Sequence, residues 1–397
     1  MFDNVQSAPP DPILGLTDAW RADPNPGKVN LGVGIYQDAN GLSPVLACVK
    51  AAEAAILSEE RTKNYLPISG DPEFGRSVER LLFKGWESEA DNRIFTAHTP
   101  GGTGALRVGA ELIRDLGANG SAWVSTPTWA NHKGVLAAAG FSLRDYPYFD
   151  PLTRRVDATA LLDTLKAVPA NELVVLHAAC HNPSGADPDP DLWGAIARVA
   201  SQAGWIPFLD NAYLGFGQGL DADRSALGSF LRAGVDFLVA TSFSKNLGLY
   251  RERVGALTVV SGNARARDAV FSRAKKVIRV IYSNPPSHGG EIARRILSDA
   301  VLGDLWRREL QTMRERIQTM RTAWVQGMNE RKVSTDFSFV TRQIGMFSLS
   351  GLTGEQVAWL KAAKSLYMTS DGRMNIAGLT LANLGAVCDA IAECLRR

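Results

Sequence analysis

A chain of 397 residues, 45% hydrophobic and 21% charged with a net charge of +2, has an ordinary globular composition and enough length for two domains. It carries no basic, aromatic-studded run that would mark nucleic acid binding, and its densest basic stretch, Arg273, Lys275, Lys276 and Arg279, reads as a solvated helix face. No apolar run approaches a membrane span, the first residues lack the basic and apolar regions of a secretion signal, and Cys48, Cys180, Cys388 and Cys394 are too scattered for a disulfide framework, so a cytoplasmic protein with reduced thiols is expected.

In chain order, residues 1–12 are Pro-rich and polar and predict an extended arm lying on another surface. Val29 to Tyr36 alternates as a short strand, and its glycines, Gly32 and Gly34, suggest close approach of something to the backbone; no dinucleotide fingerprint follows. Short apolar runs then recur at Ala122 to Ser125, Leu173 to His177, Trp205 to Leu209, Phe237 to Ala240 and Val254 to Val260. Most are separated by helical segments such as Asp191 to Ala203. This alternation predicts an α/β architecture around a mostly parallel sheet covered on both faces, whose ligands sit at the carboxyl ends of the strands. Leu310, Met313, Ile317, Met320, Trp324 and Met328 recur every three or four residues and predict a long amphipathic helix over Leu305 to Arg331, its apolar stripe a core stripe. The segments Phe337 to Val340, Met346 to Leu349, Met374 to Ala377 and Leu381 to Leu395 predict a smaller α+β domain.

Polar residues follow the apolar runs, where a sheet of this kind puts its chemistry. Thr99-Pro-Gly-Gly-Thr-Gly-Ala-Leu-Arg opens a helical segment whose first N–H groups can cradle a phosphate, although an ordinary loop has the same composition. His177-Ala-Ala-Cys180-His181 offers imidazole and thiolate to a metal, but no fourth ligand lies near, and no metal site is expected. Asn182-Pro183 beside it is a candidate cis peptide. Asp210 ends the run Trp-Ile-Pro-Phe-Leu with no cation next to it in sequence, so it needs a positive partner from the chain or a ligand; a protonated pyridine nitrogen would serve, with Tyr213 as a donor to the same ligand. In Thr241 to Gly255, Lys245 stands among Ser242, Ser244, Arg251 and Arg253, an amine beside phosphate donors. Taken alone, this stretch admits a surface loop, a phosphate site, or the Ser-x-x-Lys nucleophile of a serine hydrolase, since Ser242-Phe-Ser-Lys245 fits that pattern without its companion motifs.

Together, Pro-Gly-Gly-Thr-Gly-Ala-Leu at 100–106, Trp-Ala-Asn-His at 129–132, Cys-His-Asn-Pro-Ser-Gly at 180–185, Asp-Asn-Ala-Tyr at 210–213, Ser-Phe-Ser-Lys-Asn at 242–246 and Tyr-Ser-Asn-Pro-Pro at 282–286 resemble the class I aminotransferases, in particular the aspartate and aromatic subgroup. The resemblance covers essentially the whole chain, from Asp11-Pro-Ile-Leu-Gly-Leu to Gly372-Arg-Met-Asn-Ile-Ala-Gly. It implies the fold type I architecture of pyridoxal-phosphate-dependent transferases, divided into an arm at 1–12, a small domain from 13–44 and 311–397, and a large cofactor-binding domain at 45–310. It further implies pyridoxal 5'-phosphate as cofactor, with Lys245 carrying it covalently and then moving the substrate Cα proton. Asp210 would face the ring nitrogen, His132 would hold Asp210, and Trp129 would stack on the ring. Asn182 and Tyr213 would hydrogen-bond the phenolic oxygen, and Gly102, Thr103, Ser242 and Arg253 would hold the phosphate.

By the same resemblance, Gly34, Trp129 and Asn182 adjoin the substrate, Arg373 clamps its α-carboxylate, and Arg279 meets a side-chain carboxylate. Arg279, Tyr65, Ser283 and Asn284 would reach the neighbouring subunit's pocket, which implies a twofold homodimer with shared sites. The small-molecule partners are an acidic or aromatic amino acid and a 2-oxo acid such as 2-oxoglutarate. Asn64, Thr103 and Asn284 lean towards the aspartate type, Phe243 and Leu66-Pro67 towards the aromatic type, and a strictly aspartate-specific enzyme is the alternative. Asn211, beside Asp210, and Leu214 depart from the usual pattern.

Overall fold

A computed structural model describes residues 2–7 and 14–397. Within these the chain divides into two compact units, one of residues 44–182 and 186–315 and the other of residues 1–43, 183–185 and 316–397. Of the predicted arm, residues 1 and 8–12 lie outside the described residues; Phe2–Asn4 makes one 3-10 turn.

The larger unit is built on a seven-stranded sheet: β1 (Ile94–Pro100), β2 (Ser121–Thr126), β3 (Ser142–Pro147), β4 (Leu173–His177), β5 (Ile206–Asn211), β6 (Phe237–Ser242) and β7 (Val254–Val260), in the spatial order β1-β7-β6-β5-β4-β2-β3. β2, β3, β4, β5 and β6 pair in parallel, whereas β7 runs antiparallel to both β6 and β1. β4, β6 and β7 are buried at every residue, which is why they read as uninterrupted apolar runs rather than as alternation. Helix α1 (Gly101–Asp115) packs Leu106, Val108 and Leu112 into one core with Val124, Val175, Phe208, Leu238 and Leu257. The approach is close enough at Gly109 that a Cβ there would come within 2.4 Å of the Phe208 ring. Helices α2 (Ala130–Ala138) and α3 (Pro190–Ala203) follow β2 and β4; α3 starts with Asp189 accepting from the Leu192 N–H at 2.8 Å and stops at left-handed Gly204.

The smaller unit holds two short strand pairs, Val29–Asn30 with Leu366–Tyr367 and Phe347–Leu349 with Arg373–Asn375. Its helices Gly354–Lys364 and Leu381–Leu395 each start with a capping box, Thr353 with Gln356 and Thr380 with Asn383. The predicted strand Val29 to Tyr36 pairs only over its first two residues. Beyond them the backbone is held irregularly, the Val33 and Ile35 carbonyls each accepting from Asn375 Nδ2. The segment Phe337 to Val340, assigned to the smaller α+β domain, forms a 3-10 turn over Ser338–Thr341.

The long amphipathic helix spans Ala300–Glu330, and its whole predicted stripe from Leu310 to Met328 is buried. In the smaller unit the same helix buries Arg321 completely. Its guanidinium donates to the carbonyls of Val340, Ile344, Gly345 and Phe347 and to Ser348 Oγ, so one cation organises the irregular segment ahead of Phe347–Leu349. Among the described residues, no helix is long and apolar enough to cross a membrane.

Candidate active site

The carboxyl ends of β2, β4, β5 and β6 and the start of α1 bring most of the predicted residues together in the larger unit. Asp210 lies one residue before the end of β5, buried, and His132 on α2 meets it with Nε2 at 2.9 Å from Oδ2. The partner missing beside Asp210 in sequence is thus supplied through space. Burial alone would raise this carboxyl; the hydrogen bond with His132, with Lys245 adding to it, holds it below its ordinary value. His132 is fixed in turn by Thr128, whose Oγ1 is 2.8 Å from Nδ1 and 3.3 Å from His177 Nε2.

His177 and His181, the pair with a metal-like spacing, instead pack as buried rings with centroids 4.4 Å apart. His181 stacks on Tyr148 at 3.9 Å and reaches Ser125 Oγ at 3.0 Å, and burial holds both imidazoles well below their ordinary pKa, so they stay neutral. The cis peptide falls at Thr126–Pro127 and not at Asn182–Pro183, a correction to the sequence reading. Either X-Pro bond was eligible, because the preference between isomers is only about 0.5–1 kcal/mol and tertiary packing decides it.

β6 ends at Ser242, and Lys245 sits in the turn beyond it, with Nζ 4.8 Å from the centre of the buried Tyr213 ring. Ser242 Oγ accepts from the Ser244 N–H at 3.2 Å. Arg253 has a left-handed backbone, φ +54°, that side chains rarely adopt; it donates to the Tyr250 carbonyl at 3.2 Å and forms no ion pair among the described residues. Trp129 caps α2 half-buried, its ring edge-on to His132 at 5.4 Å.

Asn182 is buried in the loop after β4, and Gly102 and Thr103 lie in the first turn of α1, whose N-cap, Pro100, offers no side-chain cap. Asn211 does not disturb Asp210. As the next residue along β5 it projects from the other face, fully buried, and neither of its amide atoms has a hydrogen-bond partner among the described residues.

The remaining predicted residues lie elsewhere. Arg373 and Gly34 belong to the smaller unit, where Arg373 Nη2 donates to the Gly32 carbonyl at 2.6 Å and the guanidinium lies 4.4 Å from the Phe347 ring centre. A Cβ at Gly34 would come within 2.9 Å of the same ring, so glycine there lets backbone and ring meet. Tyr65 is 91% exposed, and Arg279 is an exposed cation bonded to Ser283 Oγ. Thr128 and Asp187, which support this arrangement, escaped the sequence reading. Their only signal was a polar residue in a loop after a strand, which turn chemistry explains equally well.

An amine and a buried carboxylate–imidazole pair at the strand ends, beside an uncapped helix start, define an enzyme for a phosphorylated cofactor that reacts with an amine. The comparisons carry this to a family. A model described as aminotransferase class I and II matches residues 26–391. The aspartate aminotransferase of Escherichia coli (strain K12) is 46% identical over 396 residues, spanning 100% of both chains. An aromatic-amino-acid aminotransferase from Burkholderia pseudomallei, solved covalently bound to pyridoxal phosphate, superposes with a TM-score of 0.96 at 41% identity, over 100% of this chain and 99% of that one. A psychrophilic aromatic amino acid aminotransferase from Psychrobacter sp. B6, cocrystallised with aspartic acid, gives 0.97 at 38% identity over 100% of both. The chain belongs to the class I and II aminotransferases, and its cofactor is pyridoxal 5'-phosphate.

The residues present fit that group. A Cβ at Gly102 would come within 3.0 Å of Ser242 Cβ, and one at Gly101, which sits at φ +72°, within 2.6 Å of Arg253 Nη2. Uncapped N–H groups, a serine hydroxyl and an arginine without a carboxylate partner therefore surround a cradle that side chains on the glycines would fill. Asp210 is a buried carboxylate held below its ordinary pKa, which a cationic ring nitrogen would match.

Proposed function

We propose that this aminotransferase exchanges amino groups between acidic or aromatic amino acids and a 2-oxo acid such as 2-oxoglutarate, with Lys245 holding the cofactor and moving the substrate Cα proton. The observation that carries this reading is Lys245 beside Tyr213, in the field of an Asp210 held ionised by His132. Pyridoxal 5'-phosphate, when bound, supplies a carbonyl for the amine and a ring that withdraws electrons from the substrate Cα. Asp210 would face the ring nitrogen and favour its protonated form, with His132 and Thr128 keeping Asp210 in place. Asn182 and Tyr213 would donate to the phenolic oxygen. Gly102, Thr103, Ser242 and Arg253 would hold the phosphate, and Trp129 would cover the ring. Lys245 Nζ would carry the proton taken from the substrate Cα. Arg373, steadied by Gly32 and Phe347, takes the α-carboxylate.

The donor class rests on relatives of both kinds, one an aspartate aminotransferase and another an aromatic enzyme cocrystallised with aspartic acid. A panel of amino donors assayed with 2-oxoglutarate for glutamate formation tests it. Turnover of aspartate together with at least one of phenylalanine, tyrosine and tryptophan is expected; turnover of aspartate alone would support the strictly aspartate-specific alternative, and turnover of none would refute the proposal.

The working form is proposed to be a cytoplasmic homodimer. Four buried cysteines, none in a disulfide among the described residues, suit a reducing compartment. Tyr65 and Arg279 serve a second copy of the chain: both are exposed here, as is Val280 at 79%. Light scattering at micromolar concentration should return twice the chain mass, and a monomer with full activity would contradict shared sites.

A further inference from the structure

We propose that Asp187 is a positioning residue for transamination: its carboxylate caps the loop that presents Asn182 and braces Tyr213. This rests on the function proposed above, in which those two side chains donate to the cofactor's phenolic oxygen.

The loop leaves β4 at His177 in a fixed order. The Ala178 N–H donates to the Asp210 carbonyl at 2.8 Å. Cys180 turns left-handed, φ +57°, and its Sγ lies 3.7 Å from the Tyr213 carbonyl, so the thiol donates to the backbone of one of the two proposed donors. The N–H groups of Cys180 and His181 both point at Asp187, to Oδ2 and, at 2.7 Å, to Oδ1. Two successive N–H groups around a left-handed residue form a small anion cradle, here filled from within the chain. Asn182, the next residue, is buried. The side-chain contacts of His181, to Ser125 and Tyr148, place its ring but leave its N–H to Asp187.

Stability alone does not account for a carboxylate at this position. Asp187 keeps some contact with solvent, yet it is surrounded densely enough that desolvation pushes its carboxyl up to about 6, against the pull of the two N–H groups and with the charge of Asp223 adding to the rise. An acid whose folded value lies above its ordinary 3.8 binds its proton more tightly in the folded state, so the stability it contributes falls as pH rises from about 4 to 6. At neutral pH the ionised form contributes less to the fold than the protonated form would. What it provides is an acceptor for both N–H groups at once, whereas an amide would turn a donor towards one of them.

The test is Asp187→Asn in the holoenzyme, read by the pH midpoint of the cofactor's absorbance change. Donors to the phenolic oxygen favour its anion, so displacing them should raise that midpoint by about half a pH unit or more, with turnover falling about tenfold. Glu172→Ala, at the opposite end of β4 where Glu172 accepts from Trp123 Nε1, should lower the melting temperature and leave the midpoint in place. An Asp187→Asn enzyme that melts lower but keeps the wild-type midpoint would make Asp187 a fold residue only and overturn the proposal. Asp187→Glu, which keeps the charge but shifts the oxygens, is read by the same criterion if the asparagine variant does not fold. Borohydride labelling separates the two readings: a wild-type protein unlabelled at Lys245 refutes the proposed function, whereas a labelled one with an unmoved midpoint in the variants refutes only the role of Asp187.

Discussion

Lys245→Ala is expected to lower transamination by about 10,000-fold or more, because in the proposed function one side chain serves both as the covalent attachment point and as the proton carrier. No other residue of the described site can replace it. Arg253 is a guanidinium that does not deprotonate, and His177 and His181 are buried rings engaged with each other and with Thr128, Tyr148 and Ser125. The variant should still retain cofactor, since the phosphate cradle at Gly102, Ser242 and Arg253 does not depend on the amine, and its melting temperature should stay close to wild type. Single-turnover assays with aspartate and phenylalanine, alongside the absorbance of bound cofactor, check both halves. Retention of wild-type turnover would remove Lys245 from the mechanism, and loss of cofactor together with activity would show that the phosphate cradle alone does not hold it.

The second large effect belongs to Asp210. Asp210→Asn keeps the shape and an oxygen for His132 but removes the negative charge, and with it the means of keeping a proton on the ring nitrogen. The loss of one charge-assisted contact to the group that must accept electrons should cost about 3–4 kcal/mol, a few hundred-fold in turnover, with a much smaller change in KM for the amino donor. The pH dependence has a definite sign. The Asp210 carboxyl is held below its ordinary 3.8, so its pairing with His132 stabilises the folded state above that value and is lost as pH falls through the lower folded one. Asp210 therefore stays ionised through neutral and mildly acidic conditions. Equal kcat for wild type and Asp210→Asn would count against the assigned role.

The chemistry was legible in the sequence where it followed strands buried on both faces. β4, β6 and β7 expose no residue, so each reads as an apolar run, and Asn182, Ser242 and Lys245 then mark the strand ends. β3 left no such trace. It is an edge strand and buries only Tyr146, so Ser-Leu-Arg-Asp-Tyr-Pro reads as a loop. β1 was passed over although five of its seven residues are buried, because Thr96, His98 and Thr99 are polar side chains inside the core; Thr96 and Thr258 satisfy each other at 2.9 Å. The antiparallel course of β7 has no local signature, since register and direction are set by strands distant in sequence.

The site shows the same division. Lys245, Asp210 and Tyr213 belong to chemistry that asks for those residue types. Thr128 and Asp187 act by holding a neighbour, and nothing in a Thr or an Asp near a turn distinguishes that work from capping. The Asp210 to His132 pairing spans 78 residues and has no local signature; in the sequence only the family resemblance implied it.

The central claim is that Lys245 is the amine to which the cofactor is attached. Reduction of the yellow holoenzyme with borohydride, followed by proteolysis and mass mapping, tests it most directly. One phosphopyridoxyl group per chain on the peptide containing Lys245 is the result expected, with Lys245→Ala unlabelled; label on another lysine, or acylation of Ser242 by a β-lactam probe in a colourless protein, would contradict it.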